Sequence, residues 1–434
     1  MKDNRKNYQG QHILAQGVLS DTDTWTTGIN NNVLVFGPTG AGKTRHYVKP
    51  NILNAHESMI ISDTKGSLYE ELRPALMKKG YRVLNIDFTD LSSGFGYNPL
   101  DYIRYNEQTD SYSEQDILTL ADCLVESRRS NDPFWDLAAK QYLEVLIGYV
   151  LEALPEEEHD LRYVVKAFNM MKTDTFKDMM RELQVMKPNS TTWLRFKAME
   201  DNTKADRTDA CIRAILAANL DSLVFDEALA LYGKLNRVKF EDLGRKKTAV
   251  FLTVSDTDRS LDRLANAFIT QALQALCRSA DKDYPDHRLD IPVRFYLDDF
   301  ATNVTIPDFD RIISVIRSRE IYVSVVLQSI TQLTSLYGDA CAKTILNNCD
   351  QMLYLGGQDL ETAGLVSEKS NKSLYTILSM PLDDAFLFIR GQEPRLVHKY
   401  EVSEQASETE TVSKTVHRDQ TERPYDYFED EPFL

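Results

Sequence analysis

The chain has 434 residues, of which 42% are hydrophobic and 27% are charged, a composition typical of globular proteins and unlike collagens or disordered chains. No window approaches the roughly 20 consecutive apolar residues of a membrane-spanning helix, and the polar start lacks a secretory signal, so we expect a cytoplasmic protein. The five scattered cysteines argue against a disulfide framework or a zinc site, and the net charge of −16 by itself favours no nucleic-acid partner.

The predicted elements begin after a polar N-terminal segment, residues 1–30. Short apolar runs of strand length then alternate with helical stretches, which is typical of an α/β fold with a mainly parallel central sheet. Because the runs are rich in apolar residues without strict alternation, we expect central strands that are buried on both faces. They comprise residues 33–36, 59–61, 83–86, 249–254, 295–297, 323–327, 352–355 and 386–389.

The interval 101–240 breaks this alternation and shows amphipathic helical windows without a convincing strand. We therefore predict an inserted all-α domain at 101–240, which divides the nucleotide-binding domain into 31–100 and 241–400. Residues 401–434 contain ten acidic and three basic side chains and few aliphatic ones, which predicts an acidic disordered tail.

The strongest motif is a glycine-rich turn that follows the strand at 33–36 and opens a helical stretch, the context required of a phosphate-binding loop (P-loop). It consists of Gly37, Pro38, Thr39, Gly40, Ala41, Gly42, Lys43 and Thr44. The glycines allow backbone N–H groups to surround phosphates closely. Lys43 is predicted to reach the β- and γ-phosphates of ATP, and Thr44 to ligate Mg2+.

A P-loop enzyme also needs acidic residues at the end of a neighbouring strand. Apolar residues lead directly into Asp298 and Asp299. We predict that Asp298 holds Mg2+ and that Asp299 polarises the attacking water. The alternative is a strand that ends in two solvated acids.

Three further polar residues lie at predicted strand ends. Asp63 follows the strand at 59–61, at its carboxyl end. It is interpreted either as an aid to the metal or water, or as a helix-capping residue. Arg317 lies just before the strand at 321–327, where an arginine can act on a neighbouring subunit's nucleotide. Gln328 ends that strand, where its amide can sense a γ-phosphate. Surface arginines and a capping glutamine are the alternative.

Together these motifs resemble those of the type IV coupling proteins, the TraG/TraD-type ATPases of conjugation and type IV secretion. The resemblance spans about residues 30–395 and includes several segments beside the P-loop. These are Val48-Lys49-Pro50-Asn51-Ile52, Ser62-Asp63-Thr64-Lys65-Gly66, Tyr97-Asn98-Pro99-Leu100, Asp132-Pro133-Phe134-Trp135, Asp256-Thr257-Asp258-Arg259-Ser260, Leu297-Asp298-Asp299-Phe300-Ala301, Ile306-Pro307-Asp308-Phe309, Ile316-Arg317-Ser318-Arg319, Leu327-Gln328-Ser329 and Asn348-Cys349-Asp350.

The resemblance implies a RecA-like P-loop NTPase with an all-α domain, assembled as a hexamer around a substrate channel. It assigns the trans-acting arginine, about 19 residues beyond the metal-holding acid, to Arg317, and the phosphate-sensing glutamine to Gln328. It also implies DNA, a relaxase or other relaxosome protein, and type IV secretion channel subunits as partners. A membrane-anchoring partner would hold the protein at the inner face of the cell membrane.

The sequence departs from the family pattern at three points. Asp299 stands where the family usually has Glu, which predicts slower hydrolysis because the side chain is shorter. Thr64 stands where Pro is usual. Most members begin with transmembrane helices, which this sequence lacks. It is therefore interpreted either as a shortened chain or as a form without its own membrane anchor that a partner holds, and the polar start at Met1 favours the second.

These observations predict an ATP-driven coupling protein that delivers DNA or a relaxase–DNA complex to a conjugation channel. Two alternatives stay open. One is an ATPase that recruits protein substrates for type IV secretion. The other is a nucleotide-gated adaptor with little turnover.

Overall fold

The computed structural model describes residues 4–64, 66–125, 133–171, 173–203, 205–299 and 305–401. Lys65, Asp132, Phe300 and Ala301, which belong to the segments above, and nearly all of the predicted acidic tail lie outside these ranges. The described strands are β1 (Gln11–Ala15), β2 (Val18–Asp21), β3 (Val33–Phe36), β4 (Ser58–Asp63), β5 (Arg82–Asp87), β6 (Tyr105–Asn106), β7 (Ser111–Tyr112), β8 (Thr248–Thr253), β9 (Val293–Leu297), β10 (Ile321–Leu327), β11 (Gln351–Tyr354), β12 (Asp384–Ile389) and β13 (Arg395–His398).

Nine of these strands form one sheet in the order β13-β12-β11-β3-β10-β9-β4-β8-β5. From β11 to β5 all neighbours pair in parallel, whereas β12 runs antiparallel to both of its neighbours. Since β3, β4, β8, β9, β10 and β11 are buried at every position, the continuous apolar runs reflect burial on both faces. The expected mainly parallel α/β sheet is confirmed.

Each apolar run of the sequence lies in or overlaps one strand of this sheet. The edge strand β13 was not predicted, because most of its residues are exposed and its sequence, Arg-Leu-Val-His, gives no apolar run. Its backbone pairing with β12, from Asp384 opposite His398 to Leu387 opposite Arg395, decides its structure instead.

Helices cover both faces of the sheet. The described α-helices are α1 (Thr24–Thr27), α2 (Lys49–Asn54), α3 (Ser67–Lys78), α4 (Glu114–Leu124), α5 (Phe134–Ala153), α6 (Leu161–Met170), α7 (Asp174–Met186), α8 (Thr191–Thr203), α9 (Asp206–Leu220), α10 (Asp226–Gly233), α11 (Asp262–Asp283), α12 (Phe309–Val315), α13 (Ile330–Tyr337), α14 (Asp339–Asn347), α15 (Leu360–Ser370) and α16 (Leu374–Leu378). Buried side chains of α2 and α3 form one core cluster with β1, and those of α4, α5 and α11 belong to the other.

The interval between β5 and β8 contains α4 to α10. The predicted absence of strands there was wrong in one detail, because β6 and β7, each two residues long, form a short antiparallel hairpin. Burial is continuous from the sheet into this interval, and residues up to Tyr400 form one compact unit. The division into two domains at 101 and 240 therefore stays a prediction.

The first 30 residues carry more structure than their polar composition indicates. β1 and β2 form an antiparallel hairpin, and Ile13, Leu14 and Ala15 are buried. The side chain of Asn51 in α2 accepts a hydrogen bond from the backbone N–H of Ile13 and donates one to its carbonyl. The hairpin thus covers the helix that follows the glycine-rich turn. Within the described ranges, no helix combines the length and hydropathy that a membrane span requires.

Candidate nucleotide-binding site

The glycine-rich turn leaves β3 at the carboxyl-terminal edge of the sheet, where open α/β sheets bind their ligands. The backbone N–H of Gly37 bonds the carbonyl of Leu327 at the end of β10, at 3.1 Å. Gly40 and Gly42 have φ angles of 84° and 82°, a left-handed conformation that disfavours side chains. At Gly42 a Cβ would lie 2.1 Å from the ring of His46, so a side chain there would also require that ring to move.

Lys43 is buried inside the turn, with 7% of its surface exposed. Its Nζ donates to the carbonyl of Gly37 at 2.9 Å and lies 3.7 Å from Oδ1 of Asp299. The ammonium group therefore closes the turn on itself and faces an acid from another strand. A buried cation in this position attracts phosphate.

Thr44 begins a π-helical turn, Thr44–Val48, that continues into α2. Its hydroxyl donates a hydrogen bond to Oδ2 of Asp298, at 2.6 Å. These residues are 254 positions apart in the sequence. The fold thus brings the end of the glycine-rich turn and the acid that follows β9 into direct contact.

Asp298 is buried, and only 7% of its surface is exposed. Burial raises the pKa of its carboxyl from 3.8 to about 6, and the neighbouring Asp299 adds to this rise. The hydrogen bond from Thr44 and the charge of Lys43 oppose it. A bound divalent cation in contact with this carboxylate would favour its ionised form.

Asp299 has a φ of 49°, in the left-handed region. Its backbone N–H donates to Oδ1 of Asp298 at 3.1 Å. Asp occupies this region more readily than most non-glycine residues, and a longer acid loses that local advantage. The backbone conformation thus supplies a physical reason for Asp at this position.

Asp63 lies at the same sheet edge as Asp298. Ile61 of β4 pairs with Tyr296 of β9, and the two aspartates each follow two residues later. The side chain of Asp63 is buried, and its Oδ2 accepts the backbone N–H of Tyr69 in the first turn of α3. This contact satisfies a backbone N–H in the first turn of α3, as a helix-capping residue does. Because Asp63 ends the strand next to that of Asp298, the interpretation as an aid to the metal or water also stays open.

Gln328 follows β10 at the same edge and is half-buried. Its backbone N–H donates to the side chain of Gln332 in α13, at 2.9 Å. The residue before it, Leu327, is the one whose carbonyl holds Gly37. Gln328 is therefore next to the start of the glycine-rich turn.

Arg317 is not part of this cluster. It lies in a 3-10 turn, Ile316–Arg319, which precedes β10 and therefore lies at the opposite edge of the sheet. Its guanidinium donates from Nε to the hydroxyl of Thr24 at 2.8 Å and from Nη2 to the carbonyl of Thr24 at 3.4 Å. Since β10 spans about 20 Å, Arg317 cannot reach the glycine-rich turn of its own chain.

The structure also brings in residues that sequence reasoning missed. Lys399 donates from Nζ to the carbonyl of Ala41 at 3.2 Å, and the ring of His46 bonds the carbonyl of Tyr400 at 2.7 Å. Thr24, which is fully buried, holds Arg317. No motif signals these residues, because they are defined by contacts over 293 to 358 sequence positions.

Comparison with known proteins identifies the family. Residues 2–374 match the family model described as type IV secretory system conjugative DNA transfer. The chain belongs to this coupling-protein family. The sequence-based resemblance is thereby confirmed.

Two relatives illustrate how far the coupling-protein similarity extends. The chain is 24% identical to the protein VirD4 of Rhizobium radiobacter over 380 residues, which cover 84% of this chain and 51% of VirD4. It is 30% identical to the conjugal transfer protein TraG of Escherichia coli over 131 residues, covering 30% and 20% of the two chains. The chain thus spans about half the length of VirD4.

Solved structures with a similar fold support the RecA-like architecture. The bacterial conjugative coupling protein TrwBdeltaN70 in its unbound form superposes with a TM-score of 0.67 at 16% identity, covering 93% of this chain and 91% of that one. A TrwB complex with ADP and Mg2+ gives 0.66 at 16% identity, with 93% and 92% covered. VirB4 of Thermoanaerobacter pseudethanolicus is more distant, at 0.55 and 15%, with 91% and 97% covered.

Proposed function

We propose that this coupling protein is an ATP-driven translocase that delivers DNA, or a relaxase bound to its DNA, to a conjugation channel. The contact between the Thr44 hydroxyl and the Asp298 carboxylate carries the proposal. In P-loop NTPases the threonine of the loop and the acid of a neighbouring strand hold one metal between them. The contact joins the two residues for which those roles were predicted from the sequence.

The residues present fit ATP and Mg2+. The oxygens of Thr44 and Asp298 are the hard ligands that Mg2+ prefers, and the remaining ligands of such sites come from phosphates and water. Gly40 and Gly42 give the turn the left-handed conformations that an anion-binding loop uses. Bound Mg-ATP supplies the phosphoanhydride bond to be cleaved and a cation that draws charge from the phosphates.

The remaining residues act around that nucleotide. Lys43 exchanges its carbonyl partners in the turn for the terminal phosphates and stabilises their charge. Asp299 orients the attacking water and accepts its hydrogen bond, and Asp63 assists the metal or this water. Gln328 reports the presence of the terminal phosphate through its amide.

Arg317 completes the site of a neighbouring subunit rather than its own. The support is its location at the opposite edge of the sheet, where it is held by Thr24. In a closed ring, head-to-tail contacts place one edge of a subunit against the other edge of the next. A hexameric ring would therefore join Arg317 of one chain to the glycine-rich turn of another, so that hydrolysis depends on assembly.

The cargo is proposed from the family description, which specifies conjugative DNA transfer. This description favours DNA over the alternative of protein cargo alone. Loops at the ring axis would move on the nucleic-acid backbone, and a relaxase and channel subunits would be the protein partners. We expect the protein to work at the inner face of the cell membrane through these partners.

The Lys43→Ala variant tests the proposal. We expect it to lose ATP hydrolysis and DNA transfer between cells, because the phosphates lose their principal cation. ATPase activity of the assembled protein and the frequency of conjugation measure the two effects. Lys78→Ala, on an exposed position of α3, is the matched control. Intact transfer with the Lys43 variant would overturn the motor, and wild-type protein that binds nucleotide without sustained turnover would favour the adaptor.

A further inference from the structure

The last strand of the sheet returns the chain to the glycine-rich turn. β13 runs antiparallel to β12, which itself runs antiparallel to β11, so β13 points in the same direction as β11 and β3. It therefore ends at the edge where the turn lies, although two strands separate it from β3. Lys399 and Tyr400 continue from this end and contact the turn and the helical segment behind it.

Lys399 is an unusual lysine, since only 7% of its surface is exposed. Its Nζ donates to the carbonyl of Ala41 at 3.2 Å, and its backbone N–H bonds the carbonyl of Asp383. Burial lowers the pKa of its ammonium group, while the charges of Asp383 and Asp384 oppose that shift. Burial of a cation costs free energy unless a polar partner compensates it, and the partner here is the carbonyl of Ala41.

The contacted peptide belongs to the phosphate-binding surface. The Ala41–Gly42 bond is trans, so its carbonyl and the N–H of Gly42 point in opposite directions. Because Lys399 fixes the direction of this carbonyl, it also fixes the Gly42 N–H, which lies on the opposite side of the peptide. It also polarises that peptide, since a charged donor strengthens the dipole of its acceptor.

A second contact fixes the same region. The ring of His46 bonds the carbonyl of Tyr400 at 2.7 Å, and it covers Gly42, where a Cβ would lie 2.1 Å from the ring. Lys399 and Tyr400 thus contact the peptide before Gly42 and the residue that covers it. Two adjacent residues therefore bond two neighbours of Gly42, Ala41 and His46.

We propose that Lys399 and Tyr400 clamp the outer side of the phosphate-binding loop, and that Lys399 positions the Gly42 N–H for the phosphates of a bound nucleotide. The inference rests on the proposed nucleotide binding and adds a positioning residue that no motif contains. By reciprocity, nucleotide binding then stabilises the end of β13.

Substitution of the lysine tests the clamp. Lys399→Met keeps the length and the apolar stem but removes the donor, and Lys399→Arg restores a donor. We expect the dissociation constant of a fluorescent ADP analogue with Mg2+ to rise about tenfold in the Met variant, which is the scale of one charge-assisted hydrogen bond. The dissociation constant of the Arg variant should stay within about threefold of the wild-type value. Lys78→Met, at an exposed position of α3, is the control and should bind like the wild type.

Two further measurements separate positioning from general damage. The turnover number at saturating ATP should change less than twofold in the Met variant, because Lys399 touches no reacting group. Hydrogen exchange at 395–400 should slow when ADP binds the wild type, and this protection should be lost in the Met variant.

Wild-type protein that binds no nucleotide would overturn the proposed function and this inference with it. A wild type that binds while the Met variant binds equally well would overturn the clamp alone. The same holds if the Arg variant binds as weakly as the Met variant.

Discussion

The two ends of β10 differ in what they carry. At its carboxyl end, Leu327 holds Gly37, and Lys43, Thr44, Asp298 and Asp299 lie within one network of contacts. At its amino end, Arg317 is held by Thr24, and no contact among the described residues links it to that network. The carboxyl end is thus assembled within a single chain, whereas Arg317 at the amino end contacts Thr24 and none of the residues of that network.

The difference indicates which functions need a neighbour. Binding of a nucleotide uses groups that one chain already brings together, so we expect it in the isolated chain. Stabilisation of the transition state by Arg317 requires a second chain, because about 20 Å of strand separates the two edges. The two edges should therefore respond differently to substitution.

The largest effect is expected from Arg317→Ala. In the assembled protein, ATP hydrolysis should fall about 1,000-fold, since trans-acting arginines contribute on that scale. Nucleotide affinity of the isolated chain should change less than about threefold. Steady-state hydrolysis and binding titrations measure the two. Arg311→Ala, an exposed arginine of α12, is the control and should retain activity.

Mixing subunits sharpens this comparison. Arg317→Ala and Lys43→Ala chains should be inactive alone, yet a mixture should recover part of the activity, because one interface then combines an intact turn with an intact arginine. Failure of the mixture to recover, with assembly demonstrated, would argue against action between subunits.

A smaller effect is expected at the other edge from Asp298→Asn. Because the pKa of Asp298 in the folded protein, about 6, lies above its ordinary value, ionisation opposes folding. Its contribution to stability is complete below about pH 4 and is lost as the pH rises through 6. Without metal, the free energy of unfolding of the variant should therefore exceed that of the wild type by about 3 kcal/mol at pH 7.5, and the difference should vanish at pH 4.

Urea denaturation in EDTA at the two pH values measures this effect. The same variant should bind Mg-ADP poorly, since the amide cannot replace the carboxylate as a ligand. A variant that is less stable than the wild type at pH 7.5 would contradict the assigned cause, which is the burial of a charge.

The smallest effect is expected from Asp299→Glu. The longer side chain should raise hydrolysis between about two- and tenfold if the reach of the acid limits the rate. It should also lower the free energy of unfolding by about 1 kcal/mol, because Glu is less suited to a φ of 49°. ATPase assays and urea denaturation provide both values, and a rate at or below that of the wild type would show that reach is not limiting.

Much of the fold could be predicted from local pattern. The runs at 33–36 and 323–327 are apolar because β3 and β10 are buried on both faces, and that requirement is visible in any one strand. Weakly patterned strands could not be predicted, since β13 and the β1–β2 hairpin depend on backbone pairing and partial burial.

For the candidate site, the sequence by itself determined the chemical parts: the glycine-rich turn with Lys43 and Thr44, and the acids at 298–299. Such motifs are local, because glycine conformations and a strand end are properties of neighbouring residues. Only the tertiary structure decided that Thr44 meets Asp298, that Arg317 lies at the far edge, and that Lys399 holds Ala41. These contacts depend on the order and direction of strands, which no local sequence pattern encodes.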